Sequence, residues 1–344
     1  MPKMLDYKLL ERLCTADGIS GQEDEVRNII LEEISSFADD IKTDNSGNII
    51  VFKKGKKTPS KKMLISAHMD EVGFIVTYIN SDGTLKFEAV GGVNDSAAFA
   101  KNVTIGKNKI KGVVCSKPVH LLKTDEKKKY PPVSSLCIDI GAKDREEAEK
   151  YVSLGDMIAF DSPYENKNGR IISKAIDDRF GCLVLIELIK SELEYDMYFS
   201  FVVQEEVGLR GSKTAAFTVA PDCAIVIEAT TASDVPFAEN EKRVCNVGNG
   251  AVITFMDRAT IYDREYYNIG MECAKTLGVK AQTKTMIAGG NDAGAIHCSR
   301  GGVRTMAVSV PCRYIHSSSS LACIEDMEAV YSVVKASAEK ILSL

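Results

Sequence analysis

The stretch "MYFSFVVQEEVGLRG", residues 197–211, decides how the rest of the chain is read. Its first part is apolar, aromatic and β-branched, and too short for a helix, so it is expected to form a buried strand. A short helix is expected after the glycines of "GLRGS". The surrounding sequence repeats this alternation: a helix over 178–193, strands at "CAIVIE" (223–228) and "AVITFM" (251–256), a helix over 263–277, a strand at "VRTMAVSVP" (303–311) and a final helix from 325. Strands separated by helices imply an α/β fold, with a mixed, largely parallel sheet flanked by helices on both faces.

Toward the amino terminus, residues 6–37 read as two amphipathic helices broken at "ADGISGQE". There Ser20 and Glu23 have the spacing of a capping box for the second helix. "GNIIVFKKG" (47–55) and "KKMLISAHMDEVGFIV" (61–76) are β-like, and the basic run "KKGKKTPSKK" (53–62) reads as a solvated hairpin loop between them. From about 72 to 165 the pattern changes to short strands with frequent glycine, and only "KDREEAEKYV" (143–152) has helical period. This is expected to be a small β domain, residues 70–165, inserted into a larger domain made of 1–69 and 166–344.

The bulk numbers narrow the function. A chain of 344 residues, 45% hydrophobic, exceeds the size at which single cores usually split, in keeping with two domains. A net charge of −5 argues against a nucleic-acid partner, because phosphate binding needs clustered Lys and Arg. No stretch has the apolar length of a signal peptide or a bilayer span, so a membrane partner is not expected and a cytoplasmic location is. Ten cysteines without CxxC spacing suggest neither a zinc ribbon nor a disulfide framework.

Only four histidines occur, and two of them follow apolar strands: His68 after "MLIS" and His316 beyond "VRTMAVSVP". Acids take similar places, with Glu205 and Glu206 after "MYFSFVVQ", Glu228 after "CAIVI", and Asp177 and Asp178 where "GRIISKAI" turns into a helix. In open α/β sheets the carboxyl ends of the strands form the binding crevice. Two imidazoles and three carboxylates, with no thiolate, suit divalent ions such as Zn, Co or Mn, and one carboxylate can bridge a pair of them. Hydrolysis at such a site also needs a proton carrier that does not ligate, and either of the two adjacent glutamates has the chemistry for it.

The motifs "TADGISGQEDEVR", "SAHMDEVGF", "SKPVHLL", "IDIGAKDREEAEKYVSLGDMIAFD", "SKAIDDRFG", "QEEVGLRGS", "GGNDAGAIHCSRGGV" and "RYIHS", in this order, resemble the M42 metallo-aminopeptidases (glutamyl, deblocking and TET-like enzymes) along essentially the whole chain. The resemblance implies a zinc-peptidase-like catalytic domain holding two divalent ions, zinc first, with cobalt or manganese as alternatives. Asp177 would bridge them, His68 and Glu228 would complete one site, and Glu206 and His316 the other. Glu205 would be the general acid/base, and Asp70 would orient His68 through its second ring nitrogen. Asp178 would follow Asp177 through a cis peptide, and Asp292 would lie near the site. The insertion would be a PDZ-like β-barrel used for dimerisation, the dimers assembling into a tetrahedral dodecamer that admits peptides with a free N-terminus. The chain departs from the family pattern in Glu228, where many relatives have Asp, in "HSSSS" (316–320) and in "GGNDAG" (289–294). His120 and His297 match family positions and read as structural or supporting residues.

Two other classes use the same residues. A metal-independent glycosidase of endoglucanase type would need two carboxylates flanking a sugar bond, but a chain without Trp stacks polysaccharide poorly. An inactive oligomeric peptide-binding scaffold would not need every ligand position filled by a competent residue. The serines at 317–320 lack a G-x-S-x-G elbow.

Overall fold

Odd and even residues of the central strands are both apolar, so the sheet they form must be covered on each face. The computed structural model describes residues 5–124, 130–236 and 238–344. In chain order the strands are β1 (Asp40–Thr43), β2 (Ile49–Lys53), β3 (Met63–His68), β4 (Gly73–Ile79), β5 (Leu85–Val90), β6 (Asn102–Ile105), β7 (Ile110–Cys115), β8 (Cys137–Asp139), β9 (Met157–Phe160), β10 (Glu165–Lys167), β11 (Arg170–Ser173), β12 (Met197–Val202), β13 (Cys223–Thr231), β14 (Ala251–Thr254), β15 (Ala281–Thr283), β16 (Arg304–Arg313) and β17 (Ser320–Cys323). The helices are α1 (Tyr7–Thr15), α2 (Asp24–Ile34), α3 (Asp95–Ala98), α4 (Arg145–Ala148), α5 (Ile176–Lys190), α6 (Arg210–Val219), α7 (Arg264–Leu277), α8 (Ala293–Ile296) and α9 (Ile324–Leu342).

An 11-stranded sheet runs β1-β2-β12-β3-β13-β16-β17-β11-β10, with β14 and β15 branching from β16. Strands β12, β3, β13 and β16 are parallel to one another, and the flanks on both sides are antiparallel. One face of the centre, with Ile65, Phe199, Ile225 and Val308, packs under α1, α2, α5 and α9 through Leu10, Ile30, Phe180 and Val330. The opposite face, with Leu64, Val202, Ala224 and Val226, packs on Ala215 and Ala216 of α6 and Ile296 of α8. The six strands β4 to β9 close into a separate antiparallel barrel, β4-β5-β8-β7-β6-β9, around Phe74, Phe87 and Phe160. The expected α/β sheet with helices on both faces and a small β-barrel is the fold of this chain.

Several local expectations are corrected. Residues 53–62 do not close a hairpin, because β12 lies between β2 and β3 and pairs with both. The pattern "KDREEAEKYV" yields only one helical turn, α4, capped by Asp144. The capping box does not form: α2 starts at Asp24 without a side-chain cap. Ser20 instead donates to Asp70 Oδ2 at 2.6 Å, and Glu23 Oε1 accepts from the backbone N–H of Gly21 at 2.6 Å and of Gln204 at 3.3 Å. A buried carboxylate and a strand end that need partners outcompete the start of an exposed helix.

A buried ionic cluster ties the layers together. Arg179 on α5 is fully buried and donates to the carbonyls of Leu13, Ala16, Gly18 and Met69 and to Glu71 Oε1 at 3.1 Å. Lys174 reaches the same Glu71 oxygen at 2.7 Å and Asp17 Oδ1 at 3.0 Å. The cluster thus joins the end of α1, the end of β3, the entry to the barrel and the start of α5. Removing one partner of such a cluster strands a buried charge, at about 3–5 kcal/mol. Arg179→Met is expected to destabilise the protein by that amount, whereas Arg12→Met, which breaks ion pairs of a side chain 46% exposed, is expected to lose about 1 kcal/mol or less. Urea-unfolding midpoints measured side by side check this, and equal losses would contradict it.

Candidate metal centre

The carboxyl ends of the parallel strands gather the polar residues at one rim. His68 ends β3, and Glu205 and Glu206 lie just past β12. Glu228 sits within β13, which runs three residues beyond it to Thr231 and pairs Glu228 with Ser309. Asp177 and Asp178 stand in the first turn of α5 with non-helical backbone angles, joined by a cis peptide bond as the resemblance implies. His316 follows β16 with a left-handed backbone, φ 60°. Ala175 (φ 52°) and Gln204 (φ 55°), each within two residues of an acid of the rim, share that conformation. Non-glycine residues in this region cluster where a site dictates side-chain direction.

The structure brings all five expected ligands together. Asp177 stands in the middle, with Oδ1 3.4 Å from His68 Nε2 and Oδ2 3.5 Å from His316 Nε2. His68 Nε2 is also 3.7 Å from Glu228 Oε2, and His316 Nε2 is 3.2 Å from Glu206 Oε1. Ligand atoms of Asp177, Glu206 and His316 lie within 4.8 Å of one another, as do those of His68, Asp178 and Glu228 and those of His68, Glu205 and Glu206. Asp178, expected only beside the site, therefore reaches the same space as Glu228.

Hydrogen-bond donors from the described residues are missing at several oxygens of this space. His68 Nδ1 is 3.0 Å from the Asp70 carbonyl, an acceptor, so Nδ1 carries the proton in the neutral ring and Nε2 turns a lone pair toward carboxylate oxygens. Asp177 Oδ1, Asp178 Oδ2 and Glu228 Oε1 are buried, and no hydrogen bond from the described residues reaches them. Lone pairs converging from nitrogen and oxygen, without donors between them, fit divalent cations. The crowded acids and imidazoles also set one another's affinities for protons. Burial opposes charge on His68, but Asp177, Asp70, Glu228 and Glu205 raise its pKa well above the ordinary value. His316, likewise opposed by burial, is raised to about 11 by Asp177 and Glu206. Burial, reinforced by neighbouring acids, pushes Glu205, Glu228 and Asp178 well above the carboxylate range, while the two imidazoles hold Asp177 below it against its burial.

Asp70 fixes the rim. Fully buried, it accepts from the backbone N–H of Glu205 at 2.9 Å and of Glu206 at 3.1 Å, and from Ser20, while its Oδ1 lies 3.5 Å from His68 Nδ1. These partners hold its pKa below the usual value although burial acts the other way. Asp178 is cradled by α5: its Oδ1 accepts from Gly181 N–H at 3.0 Å, and a Cβ at 181 would collide with its carboxylate. The barrel also touches the site. Gly91 (φ 81°) lies where a Cβ would meet Glu206 Cβ at 3.3 Å, and Gly92 where it would meet His316 Nδ1 at the same distance.

A cleft of about 460 Å³ opens over Asp177, Glu205, Glu206, Glu228 and His316. Lys284, which no sequence pattern marks, also lines it and donates to the Ala288 carbonyl at 2.7 Å. Asp292 is fully buried beside this rim, its carboxyl pushed up to about 6 by burial and by Asp70 and Glu206, against His68 and Ser212. The "GGNDAG" departure is structurally mild: Asn291 Oδ1 accepts from Ala293 N–H at 2.9 Å and its amide donates to Tyr262 Oη at 3.0 Å. The serines of "HSSSS" fasten the His316 turn, with Ser317 and Ser320 both donating to the Tyr314 carbonyl. His297 Nδ1 lies 2.8 Å from the Ala293 carbonyl, and His120 is exposed in a short 3-10 turn.

The likeness to known proteins runs the length of this architecture. A family model described as M42 glutamyl aminopeptidase matches residues 47–333. The glutamyl aminopeptidase of Lactococcus lactis subsp. cremoris is 32% identical over 342 residues, covering 96% of this chain and 95% of that protein. Among solved structures, the TET aminopeptidase of a marine sediment Thaumarchaeota archaeon superposes with a TM-score of 0.91 at 36% identity, over 96% of this chain and 94% of that one. The Pyrococcus horikoshii TET1 peptidase, which can assemble into a tetrahedron or a large octahedral shell, gives 0.84 at 34% identity, over 96% and 98%. Agreement of that extent in sequence and in fold makes this chain a member of the M42 family of aminopeptidases.

Proposed function

We propose that the chain is a dinuclear metal-dependent aminopeptidase that removes N-terminal residues from peptides. The observation that carries this reading is the Asp177 carboxylate, whose two oxygens face two different imidazoles at 3.4 and 3.5 Å. His68, Asp177 and Glu228 would hold one divalent ion, and Asp177, Glu206 and His316 the other, with Asp178 beside the first. When bound, such ions supply Lewis acidity at the scissile carbonyl and an anchor for the free α-amine. Zinc suits this set of nitrogen and oxygen donors, as do cobalt and manganese.

Glu205 acts as the base and then as the acid. It stands next to Glu206 at the strand end, where burial, Asp292 and Glu206 raise its affinity for a proton and His68 lowers it. Its carboxylate takes the proton of the attacking water and passes it to the departing amide nitrogen. Asp70 keeps Glu205 and His68 in register by holding the peptide N–H of one and facing the ring nitrogen of the other. Peptides enter through the cleft over Glu205 and Glu228. The long likeness to TET enzymes supports a homo-oligomer; in this reading the barrel would be the dimerisation element and a dodecamer the full assembly. Among the described residues no helix is long and apolar enough to cross a membrane, and the proposal places the protein in the cytoplasm.

Three measurements test this. Glu205→Gln is expected to lower kcat on aminoacyl chromogenic substrates by about 10²–10⁴-fold, while elemental analysis still finds two ions per chain. Loss of metal together with activity would overturn the division of labour between the two glutamates. Asp70→Asn offers an N–H where a lone pair is needed, and is expected to weaken metal retention about 10–100-fold in chelator competition. Sedimentation of the native protein is expected to give twelve times the 37.5 kDa of one chain, and a monomer mass would rule the assembly out.

A further inference from the structure

Ten cysteines are scattered along the sequence, and two that follow one another in it, Cys115 and Cys137, face each other outside the metal centre. Cys115 ends β7 and Cys137 begins β8, and the antiparallel register pairs them directly. Directly opposed antiparallel residues place their Cα atoms about 4.5 or 5.5 Å apart, both within the roughly 4.4–6.8 Å that a disulfide requires. Opposed residues also project their side chains to the same face of the sheet. Here that face is the outer wall of the barrel: Val114 and Ile138 point into the barrel core, while Cys115 and Cys137 are half-exposed. Both are free thiols in this structure. Burial and then the facing Cys137 raise the Cys115 pKa. Asn80 on the neighbouring turn donates its amide to Cys137 Sγ at 3.9 Å, which fixes that sulfur beside its partner.

We propose that Cys115 and Cys137 form a dithiol–disulfide couple on the barrel wall, oxidised by low-molecular-weight disulfides. The thiolate of Cys137 attacks one sulfur of the small disulfide, forming a mixed disulfide and expelling one small thiolate. The Cys115 thiolate then attacks the Cys137 sulfur, forming the Cys115–Cys137 bond and expelling the second small thiolate. The two protons lost by the cysteines end on the two released thiols, and two electrons pass from the protein to the small disulfide. The second step is intramolecular between sulfurs already held on paired strands, so the mixed disulfide does not accumulate. The bond pins β8 to β7.

Cys298 supplies the internal contrast: it is exposed, with Sγ 3.2 Å from His297 Nε2, and lies outside the strands. The full-length native protein is treated with oxidised glutathione, quenched in acid, alkylated with N-ethylmaleimide and peptide-mapped. The expected result is a cross-linked peptide joining Cys115 and Cys137, a glutathione adduct on Cys298, and loss of the cross-link on dithiothreitol treatment. In C115S the intermediate has no second thiol to resolve it, so a lasting glutathione adduct on Cys137 is expected. The proposal is overturned if the wild-type protein carries separate adducts on Cys115 and Cys137, or if neither reacts while Cys298 is modified. None of these readouts depends on peptidase activity.

Discussion

Mutual repulsion among carboxylates governs the design of this protein. Asp70, Asp177, Asp178, Glu228 and Asp292 are buried at one rim, with Glu205 and Glu206 beside them. Seven acids in such a space cannot all carry charge in a low-dielectric interior unless cations or protons share it. Most of the local architecture is legible as a response. The sheet supplies parallel strand ends, so that side chains from distant segments converge. The left-handed residues Ala175, Gln204 and His316 re-aim the chain where a regular strand or helix would point its side chains away. What remains uncompensated is the space between Asp177 and the two imidazoles, and that space defines the proposed chemistry.

The rim is held still by a second ionic system that stays outside the chemistry. Arg179, Lys174 and Glu71 lie one layer below, and their hydrogen bonds reach the α1–α2 connection, the end of β3 and the start of α5. Because Arg179 is only two residues from Asp177 on α5, and Glu71 is next to Asp70, each anchor sits beside a residue of the rim. The barrel enters the same arrangement from the side, through the close approach of Gly91 and Gly92 to Glu206 and His316. Fold stability and site geometry are therefore carried by neighbouring atoms.

The sequence discloses some of this directly and hides the rest for physical reasons. His68, Glu205 and Glu206 are visible because each follows an apolar run that can only be a strand, and a polar residue at a strand end has a predictable place in an α/β sheet. The Gly-punctuated strands between 72 and 165 announce a small β unit because their period and turn residues are local properties. The order of strands is not local: nothing in "KKGKKTPSKK" reveals that β12, more than a hundred residues later, inserts between its flanking strands. Ser20 and Glu23 have the spacing of a helix cap, yet spacing cannot show that a buried Asp70 competes for the Ser20 hydroxyl. Lys284 carries no signal at all, since a lone lysine after a short edge strand looks like any solvated one. Its position in the cleft is a product of tertiary packing.

Asp70 acts as a knot. One carboxylate fastens the ring of His68 and the amides of both adjacent glutamates. A shift of any of the three would drag the others with it. Lys284, Ala288 and Asn291 line the same cleft from a separate segment that this carboxylate does not touch. Such a split leaves one wall of the cleft able to change shape while the knotted wall stays still.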